Sequence, residues 1–180
     1  MRVISGLRRG VQLKTPEGLQ TRPTADRVKE ALFSIIQFDI PVSKVLDLFG
    51  GTGQLGIEAL SRGAAHAVFV DASEKACRLI RENLRRTDFS QLSSVICSDY
   101  LSYLQKSRER FDIIFLDPPY AEKYLENALN MISEIDILQS GGIIVAECPV
   151  GKTLELDLPG FARSKDYKYG QTMLTIFRKA

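Results

Sequence analysis

Short apolar runs alternate with segments of helical periodicity along most of the chain. Five runs bounded by Gly, Pro, Asp or Ser predict β-strands at residues 45–49, 67–70, 94–97, 111–116 and 142–147. Several are unbroken apolar runs, which is typical of strands covered by helices on both faces. The segments between them predict helices near residues 54–62, 73–86, 100–106 and 123–133. This alternation favours an α/β fold with a parallel sheet and right-handed crossovers.

The two ends of the chain depart from this alternation. Residues 161–168 and 172–178 predict two strands around Tyr169-Gly170-Gln171, an antiparallel hairpin that closes one edge of the sheet. Residues 2–13 predict a small hairpin or irregular arm. Pro23-Thr24 then opens a helix with Thr24 as a candidate N-cap and with apolar positions that can face the core, namely Val28, Leu32, Ile35 and Ile36. We predict one domain, with a basic N-terminal arm and helix over 1–40 and a core over 41–180.

Composition narrows the class of protein. The 180 residues are 44% hydrophobic and 26% charged, which is ordinary for a soluble globular domain. No apolar run approaches the roughly 20 residues of a membrane span, so a cytoplasmic protein without membrane contact is expected. The three cysteines form no Cys-x-x-Cys pair and there is a single histidine, His66. Neither a disulfide framework nor a metal site is therefore expected.

The charge is unevenly distributed. Residues 1–29 hold seven Lys and Arg against two acids, and residues 161–180 hold five against one, although the net charge of the chain is only +2. Basic ends around an acidic middle form a phosphate-binding face if the two ends meet in the fold. Ordinary scatter of surface charge is an equally good interpretation of this pattern alone.

A glycine-rich loop follows the first predicted core strand. Residues 51–56 fit G-x-G-x-x-G, a pattern that permits a tight turn and close approach of a ligand but is weak evidence by itself. In an NAD enzyme the following helix would hold a pyrophosphate. Asp47 lies just ahead of the glycines, where its carboxylate would repel a pyrophosphate. It suits a cationic ligand with an amino group, which favours S-adenosylmethionine over NAD.

Two further acids follow the next predicted strands. Asp71 ends the second strand, where an acid can accept hydrogen bonds from ribose hydroxyls, and Asp99 follows the third, where it can accept one from an adenine amino group. Each alone is more often a helix N-cap or a turn former. Together with Asp47 they lie at the carboxyl ends of three successive strands, where open α/β sheets bind ligands. The set therefore predicts a cofactor crevice.

The sequence Asp117-Pro118-Pro119-Tyr120 follows the fourth predicted strand. The two prolines stiffen this corner and leave its carbonyl groups available as acceptors. The carboxylate and the aromatic ring suit a planar molecule that is held by an exocyclic amino group. A strand-ending turn with a packing tyrosine is the alternative, and the upstream loop and acids make it the minor one.

With these motifs the chain resembles the RsmD-type methyltransferases over nearly its whole length. The glycine loop and the Asp-Pro-Pro-Tyr corner are shared with many amino-methyltransferases. The more specific segments are Arg2-Val3-Ile4-Ser5-Gly6 with Arg8-Arg9-Gly10, the helix entry Arg22-Pro23-Thr24-Ala25-Asp26-Arg27, and Leu55-Gly56 followed by Glu58-Ala59-Leu60-Ser61-Arg62-Gly63. Gly50 and Thr52 replace the alanine and serine that are frequent in the family, and both are small.

The resemblance implies a Rossmann-like class I methyltransferase with a mostly parallel seven-stranded sheet and an antiparallel C-terminal hairpin strand. It also implies methylation of the N2 amine of a guanine in 16S ribosomal RNA, in an assembled or assembling small subunit, by a monomer that uses S-adenosylmethionine, releases S-adenosylhomocysteine and needs no metal. The implied catalytic residues are Asp117, Pro118, Pro119 and Tyr120. The implied cofactor residues are Thr24, Arg27, Asp47, Phe49, Gly50, Gly51, Thr52, Gly53, Asp71, Ala72, Asp99 and Tyr100. The candidate RNA contacts are Arg2, Arg8, Arg9 and Arg22.

Competing functions remain at this point. A DNA adenine-N6 methyltransferase shares the Asp-Pro-Pro-Tyr corner, but such enzymes normally carry a target-recognition insertion for which this chain has no spare segment. A methyltransferase acting on proteins or small molecules is disfavoured by the basic ends. A ribosome assembly factor that binds the cofactor without chemistry is disfavoured by the intact corner, and Asp47 argues against an NAD-dependent oxidoreductase.

Overall fold

The computed structural model describes residues 1–16, 23–119, 123–151 and 158–180, with the backbone alone at residues 23–25. Within these ranges the chain forms five α-helices and eight strands. The helices are α1 (Pro23–Ile35), α2 (Gln54–Ser61), α3 (Glu74–Arg86), α4 (Tyr100–Lys106) and α5 (Tyr124–Ile135). The strands are β1 (Lys44–Asp47), β2 (His66–Asp71), β3 (Ser93–Cys97), β4 (Phe111–Leu116), β5 (Leu138–Pro149), β6 (Phe161–Arg163), β7 (Tyr167–Tyr169) and β8 (Thr172–Lys179).

All eight strands form one sheet in the order β3-β2-β1-β4-β5-β8-β6, with β7 also paired to β8. The strands from β3 to β5 are parallel, and β8 is antiparallel to β5. Strand order reverses between β1 and β4, and the crevice at such a switch point is where open α/β sheets bind ligands. The predicted α/β fold with a mostly parallel sheet and an antiparallel C-terminal hairpin is confirmed.

The C-terminal hairpin differs from the prediction in one detail. The strand predicted over 161–168 is divided into β6 and β7, because three residues (164–166) lie opposite two residues of β8 (175–176). This bulge is stabilised by Asp166, whose carboxylate accepts hydrogen bonds from Arg163 and from Thr175 Oγ1 at 2.8 Å. The sheet therefore has eight strands rather than seven, since a bulge interrupts the ladder without changing the topology.

Alternation along the strands divides the core into two layers. Val45, Ile113 and Val145 face one side of the sheet, where they pack with apolar residues of α1, α2 and α3. Leu46, Ile114 and other alternate residues face the opposite side with α4 and α5. Each strand side chain can thus be assigned to one face of the sheet. By the same alternation the acids at the strand ends lie on the face that is covered by α1–α3.

The start of α1 corrects one prediction. The helix begins at Pro23, so Thr24 lies inside its first turn and is not the N-cap. Proline is favoured at the first helical position because its missing N–H would have no intrahelical partner there. The predicted inward residues Val28, Leu32 and Ile36 are buried. Ile35 is partly buried against the same core.

The N-terminal arm is a hairpin that is held on α2 by a buried carboxylate. Arg2 and Gln12 form an antiparallel bridge. Glu58 on α2 is fully buried and accepts hydrogen bonds from the amides of Ile4 at 2.8 Å and Ser5 at 3.0 Å. The ammonium of Lys29 on α1 lies 3.4 Å from Glu58 and donates to the carbonyl of Arg2 at 2.6 Å. The Glu58–Lys29 pair therefore joins the arm, α1 and α2.

Close contact between the arm and α2 requires glycine at position 6. Gly6 has φ of +82°, and a Cβ at this position would lie 1.8 Å from the carbonyl oxygen of Ser61. Leu7 N–H donates to the same oxygen at 2.7 Å. Any larger residue would separate the arm from the helix. In the parts of the chain that the structure describes, no helix combines the length and apolarity that crossing a bilayer requires.

We expect Glu58→Gln to lower the free energy of unfolding by about 3–5 kcal/mol, since it removes one partner of a buried ion pair and leaves Lys29 without its nearest counter-charge. Urea unfolding at pH 7 measures the change. Glu30→Gln, which neutralises an exposed acid on α1, is the control and should change stability by less than about 0.5 kcal/mol. Equal effects of the two substitutions would contradict the structural role of Glu58.

Candidate active site

Three carboxylates lie at the carboxyl edge of three adjacent strands. Asp47 ends β1, Asp117 directly follows β4, and Glu147 lies near the end of β5. Register pairs Phe115 with Val145 and Leu116 with Ala146, so Asp117 and Glu147 are the next neighbours along β4 and β5. All three acids share the sheet face of α1–α3, because side chains alternate along each strand. The structure therefore adds Glu147 to the acids predicted from sequence.

Asp47 is buried, and only 2% of its surface is exposed. Its Oδ2 accepts one hydrogen bond, from the amide of Gly56 in the first turn of α2, at 3.1 Å. Burial raises the pKa of Asp47 to about 7, and the nearby charge of Asp71 acts in the same direction. A positively charged ligand beside Asp47 would reverse this effect, because it favours the ionised form.

The ionised form of Asp117 is disfavoured in the same way as that of Asp47. Burial raises the pKa of Asp117 well above its ordinary value, and the charges of Glu147 and Asp47 raise it further. The described residues that act on the pKa of Asp117 include no cation that would offset this rise. The site is suited to a ligand that brings positive charge and hydrogen-bond donors.

The predicted cofactor loop turns back over the end of β2. Gly50 N–H donates to the carbonyl of Val70 at 2.8 Å, and Gly53 N–H donates to the carbonyl of Gly50 at 2.6 Å. Gly53 has φ of +81° where α2 begins, a conformation that other residues rarely adopt. Gly51 is exposed, so the backbone of the loop is open to a ligand at this edge.

Asp71 and Asp99 lie at this edge, as the sequence predicted, and both are used by the backbone. Asp71 Oδ2 accepts from Gly51 N–H at 2.9 Å and its Oδ1 from Ser73 N–H at 2.8 Å, beside the exposed Ala72. Asp99 is the N-cap of α4 and accepts at Oδ1 from the next helical amides at 3.0 and 3.1 Å. The N-cap interpretation thus holds for Asp99, whose side chain remains exposed beside the crevice.

Three aromatic rings form a cluster beside the corner. Phe49 lies 5.1 Å from Tyr100 and 6.3 Å from Tyr124 between ring centroids, and the two tyrosines meet edge to face at 5.6 Å. Phe49 and Tyr124 are half-buried, so part of each ring is open to solvent. Sequence reasoning missed Tyr124; the signal was an aromatic residue at the start of the helix that follows the Asp-Pro-Pro-Tyr corner.

Asn83 is a third residue that the sequence did not assign to the site, after Glu147 and Tyr124. It is fully buried on α3, and its Nδ2 donates to the carbonyls of Thr52 at 2.9 Å and Lys14 at 3.0 Å. Its Oδ1 accepts from Lys14 N–H at 2.7 Å. Asn83 therefore ties the cofactor loop to the N-terminal arm. A polar residue on the apolar side of α3 was the only hint in the sequence.

Some predicted residues fall outside what the structure describes. Tyr120 and Arg22 lie outside the described residues, and for Thr24 only the backbone is described. Of the corner itself, Pro118 is buried and Pro119 is exposed. The roles implied for Tyr120, Arg22 and Thr24 stay predictions.

The arginines of the arm differ in their surroundings. Arg8 donates to the carbonyl of Thr87 at 2.7 Å and pairs with Asp88 at 2.8 Å, so its guanidinium attaches the arm to the end of α3. Arg2, Arg9 and Arg27 line one surface depression of about 390 Å³ that also contains Asp26 and Glu30, and Arg2 lies 3.5 Å from Asp26. This placement groups Arg27, predicted to contact the cofactor, with the candidate RNA contacts Arg2 and Arg9. Over the described part of the chain, no group of three His, Cys, Asp or Glu side chains is arranged to hold a metal ion.

The raised pKa of Asp47 predicts a pH-dependent loss of stability in the ligand-free protein. The penalty is absent below pH 4, grows as pH rises from the unfolded pKa near 4 to the folded pKa of about 7, and is constant above it. Asp47→Asn cannot ionise but keeps an oxygen for Gly56. Its unfolding free energy, relative to the natural protein, should rise by up to about 4 kcal/mol between pH 4 and pH 8. Urea unfolding across that range tests this, and a difference independent of pH would contradict it.

Comparison with known proteins places the chain in a family. The family model described as "Conserved hypothetical protein 95" matches residues 1–178. The chain is 40% identical over 182 residues to the "Putative rRNA methyltransferase YlbH" of Bacillus subtilis, with 99% of each chain covered. It is 35% identical to the "Ribosomal RNA small subunit methyltransferase D" of Haemophilus influenzae over 157 residues, which cover 86% of this chain and 81% of that protein.

Solved structures agree with this assignment. The "Putative methyltransferase yhhF from Escherichia coli" superimposes with a TM-score of 0.90 at 28% identity, covering 99% of this chain and 97% of that one. The putative methylase HI0767 of Haemophilus influenzae gives a TM-score of 0.84 at 30% identity, with the same coverage. The architecture is thus that of a methyltransferase fold. The chain belongs to the conserved hypothetical protein 95 family, the RsmD-type methyltransferases that its sequence resembles.

Proposed function

We propose that this protein methylates the exocyclic N2 amine of a guanine in small-subunit ribosomal RNA and uses S-adenosylmethionine as the methyl donor. One observation carries the proposal. A buried carboxylate that a cation would stabilise, Asp47, shares a sheet edge with the Asp117-Pro118 corner that can hold an aromatic amine. The names of the relatives, which include small-subunit rRNA methyltransferases, support RNA as the substrate.

The residues at the edge fit the charge and shape of S-adenosylmethionine. The ligand carries an ammonium group and a sulfonium, and Asp47, Asp117 and Glu147 supply negative charge on the same sheet face. Gly51 leaves backbone open at the loop, and the half-buried ring of Phe49 offers an apolar surface next to it. Asp71 and Asp99 are the candidate acceptors for ribose hydroxyls and for the adenine amino group. When bound, the cofactor supplies an electrophilic methyl carbon.

Asp117 and Pro118 position the nucleophile. The guanine N2 lone pair is delocalised into the ring, so the amine is a poor nucleophile. The Asp117 carboxylate and the Pro118 carbonyl accept hydrogen bonds from its two N–H groups. This turns the lone pair toward the methyl carbon. Held at the carboxyl edge, the cofactor would supply its methyl group to N2 and would keep the electron pair of its C–S bond as a neutral thioether. Asp117 or water then takes the surplus proton from N2. Such positioning is worth about 7–11 kcal/mol of barrier.

The substrate must reach this corner as an extruded base, because a stacked base hides its amino group. Tyr120 is the candidate stacking residue for the extruded guanine, an interaction worth about 1–3 kcal/mol per base. The basic arm supplies phosphate contacts through Arg2 and Arg9, which carry no sequence information. The arm is attached to the cofactor loop through Asn83, so RNA held by the arm is also held beside the reaction centre. A monomer acting on an assembled or assembling small subunit in the cytoplasm is part of the proposal.

Asp117→Ala should lower turnover by at least about 100-fold, because the amine loses its positioning acceptor, while the Kd for S-adenosylhomocysteine changes less than threefold. The assay incubates methyl-labelled S-adenosylmethionine with small subunits from cells that lack the protein. The labelled RNA is digested to nucleosides, and the product is identified by mass spectrometry as N2-methylguanosine. Calorimetry measures the affinity for S-adenosylhomocysteine.

Matched controls separate the alternatives. Glu134→Ala removes an exposed acid from α5 and should leave both measurements unchanged. Parallel incubations with duplex DNA and total protein test the competing substrates. Label in adenine, DNA or protein would overturn the proposed substrate. Turnover retained in Asp117→Ala together with lost cofactor affinity would overturn the role of Asp117.

A further inference from the structure

We propose that a basic groove along α3 binds the phosphate backbone of the substrate RNA. The inference rests on the proposed function, because it assigns a second surface to the same RNA, and it concerns binding rather than chemistry. The groove has a volume of about 550 Å³ and runs between α3 and the end of the N-terminal arm, where Thr15 and Pro16 line it. Its basic lining residues are Lys75, Arg78, Arg81 and Arg85.

Helical periodicity brings these four cations to one side of α3. They follow one another at intervals of three, three and four residues, and residues at such intervals are neighbours on a helix surface. All four are exposed. At 1.5 Å per residue, Lys75 and Arg85 are separated by about 15 Å along the helix axis. The row is therefore long enough to meet more than one phosphate of an RNA strand.

The acid in the groove lining, Glu82, offsets little of this charge. Glu82 forms an ion pair with Lys14 of the arm. The hydrogen bond from Lys14 lowers the pKa of Glu82, and the charges of Arg86 and Arg85 lower it further. The negative charge of Glu82 is thus already shared with a cation that comes from outside α3.

The four cations differ in what they contact. Arg81 donates to the carbonyl of Val95 at 3.2 Å, so part of its guanidinium is used within the fold. Within the described part of the chain, Lys75, Arg78 and Arg85 form no ion pair. Their N–H groups are therefore available as charged donors to an anion in the groove.

Helix stability does not explain why cations occupy this row. Arg81 and Arg85 are four residues apart, and like charges at this spacing destabilise a helix. Lys75 lies in the first turn of α3, where the helix dipole disfavours a cation. Bound anions would relieve both effects. A ligand with negative charges at regular intervals fits the row best, and the backbone of a nucleic acid is such a ligand.

The groove is joined to the candidate active site. The helix begins at Glu74, directly after the carboxyl end of β2, so its first turn lies beside the crevice. Asn83 on the same helix donates to the carbonyls of Lys14 in the arm and Thr52 in the cofactor loop. RNA that is bound along α3 would therefore lie on a surface with a defined position relative to the loop.

Replacing Arg78 and Arg85 together by Gln should weaken binding to small subunits at least about 10-fold at about 0.1 M salt. The slope of log affinity against log salt should become shallower by roughly 1.4–1.8, because two phosphate contacts are lost. Titration of fluorescently labelled protein with small subunits from cells that lack the protein, over a range of salt concentrations, measures both. The affinity for S-adenosylhomocysteine should stay unchanged, since Lys75, the cation nearest the crevice, is left in place.

Two control pairs test whether the charge and its place matter. Arg78→Lys with Arg85→Lys keeps the positive charge and should keep most of the salt slope, whereas a structural role of the guanidinium groups would not be rescued by lysine. Lys106→Gln with Arg108→Gln removes the same charge from exposed positions at the end of α4, on the opposite face of the sheet, and should leave the affinity for small subunits nearly unchanged.

The results that would overturn the inference are distinct from a failure of the proposed function. Equal losses for the two Gln pairs, or an unchanged affinity of the groove variant, would overturn it. Lost affinity with an unchanged salt slope would assign the groove to a protein surface instead, because release of counterions from a nucleic acid sets that slope. The proposed function fails in a different measurement, namely if the natural protein forms no N2-methylguanosine.

Discussion

The crowding of carboxylates at one edge of a parallel sheet is the constraint on which the site depends. Parallel strands bring Asp47, Asp117 and Glu147 to the same edge and the same face. Burial is the main reason that the ionised forms of Asp47 and Asp117 are unfavourable. Nearby charges act in the same direction, that of Asp71 on Asp47 and those of Glu147 and Asp47 on Asp117. A ligand that carries positive charge and N–H donors would relieve this strain, so under the proposed function the unfavourable free energy of the empty site would add to the affinity for a cation and an amine.

The N-terminal arm is attached to the rest of the candidate site through two buried polar residues. Glu58 accepts the arm's amides and meets Lys29, while Asn83 connects the arm with the cofactor loop. Glu58 and Asn83 are buried polar residues. Their hydrogen bonds are made to backbone groups of the arm and the loop, and Glu58 also meets Lys29, so their geometry is well determined. The arm therefore serves the active site twice, as a support for the loop and as the carrier of exposed arginines.

Much of the architecture could be predicted because hydrophobic periodicity and turn residues are local features of the sequence. The strand positions, the inward residues of α1 and the antiparallel hairpin follow from apolar runs and turn residues. The break between β6 and β7 could not be predicted, because it depends on Asp166 meeting Thr175 across the ladder. The beginning of α1 at Pro23 was missed by two residues, because a capping Thr24 implies a helix that starts at residue 25, whereas proline itself occupies the first helical position.

Local motifs indicate the class of the site, since the glycine loop, the acids at strand ends and the Asp-Pro-Pro-Tyr corner have a chemistry that does not depend on distant partners. Which further residues join them depends on the fold. Glu147, Tyr124 and Asn83 lie far from the motifs along the chain or carry no motif of their own, and strand register, helix placement and the docked arm bring them to the site. Arg8 is the opposite case. It was a candidate RNA contact in the sequence, but in the fold its guanidinium pairs with Asp88. Side-chain partners across the sheet are set by long-range packing, which no local pattern encodes.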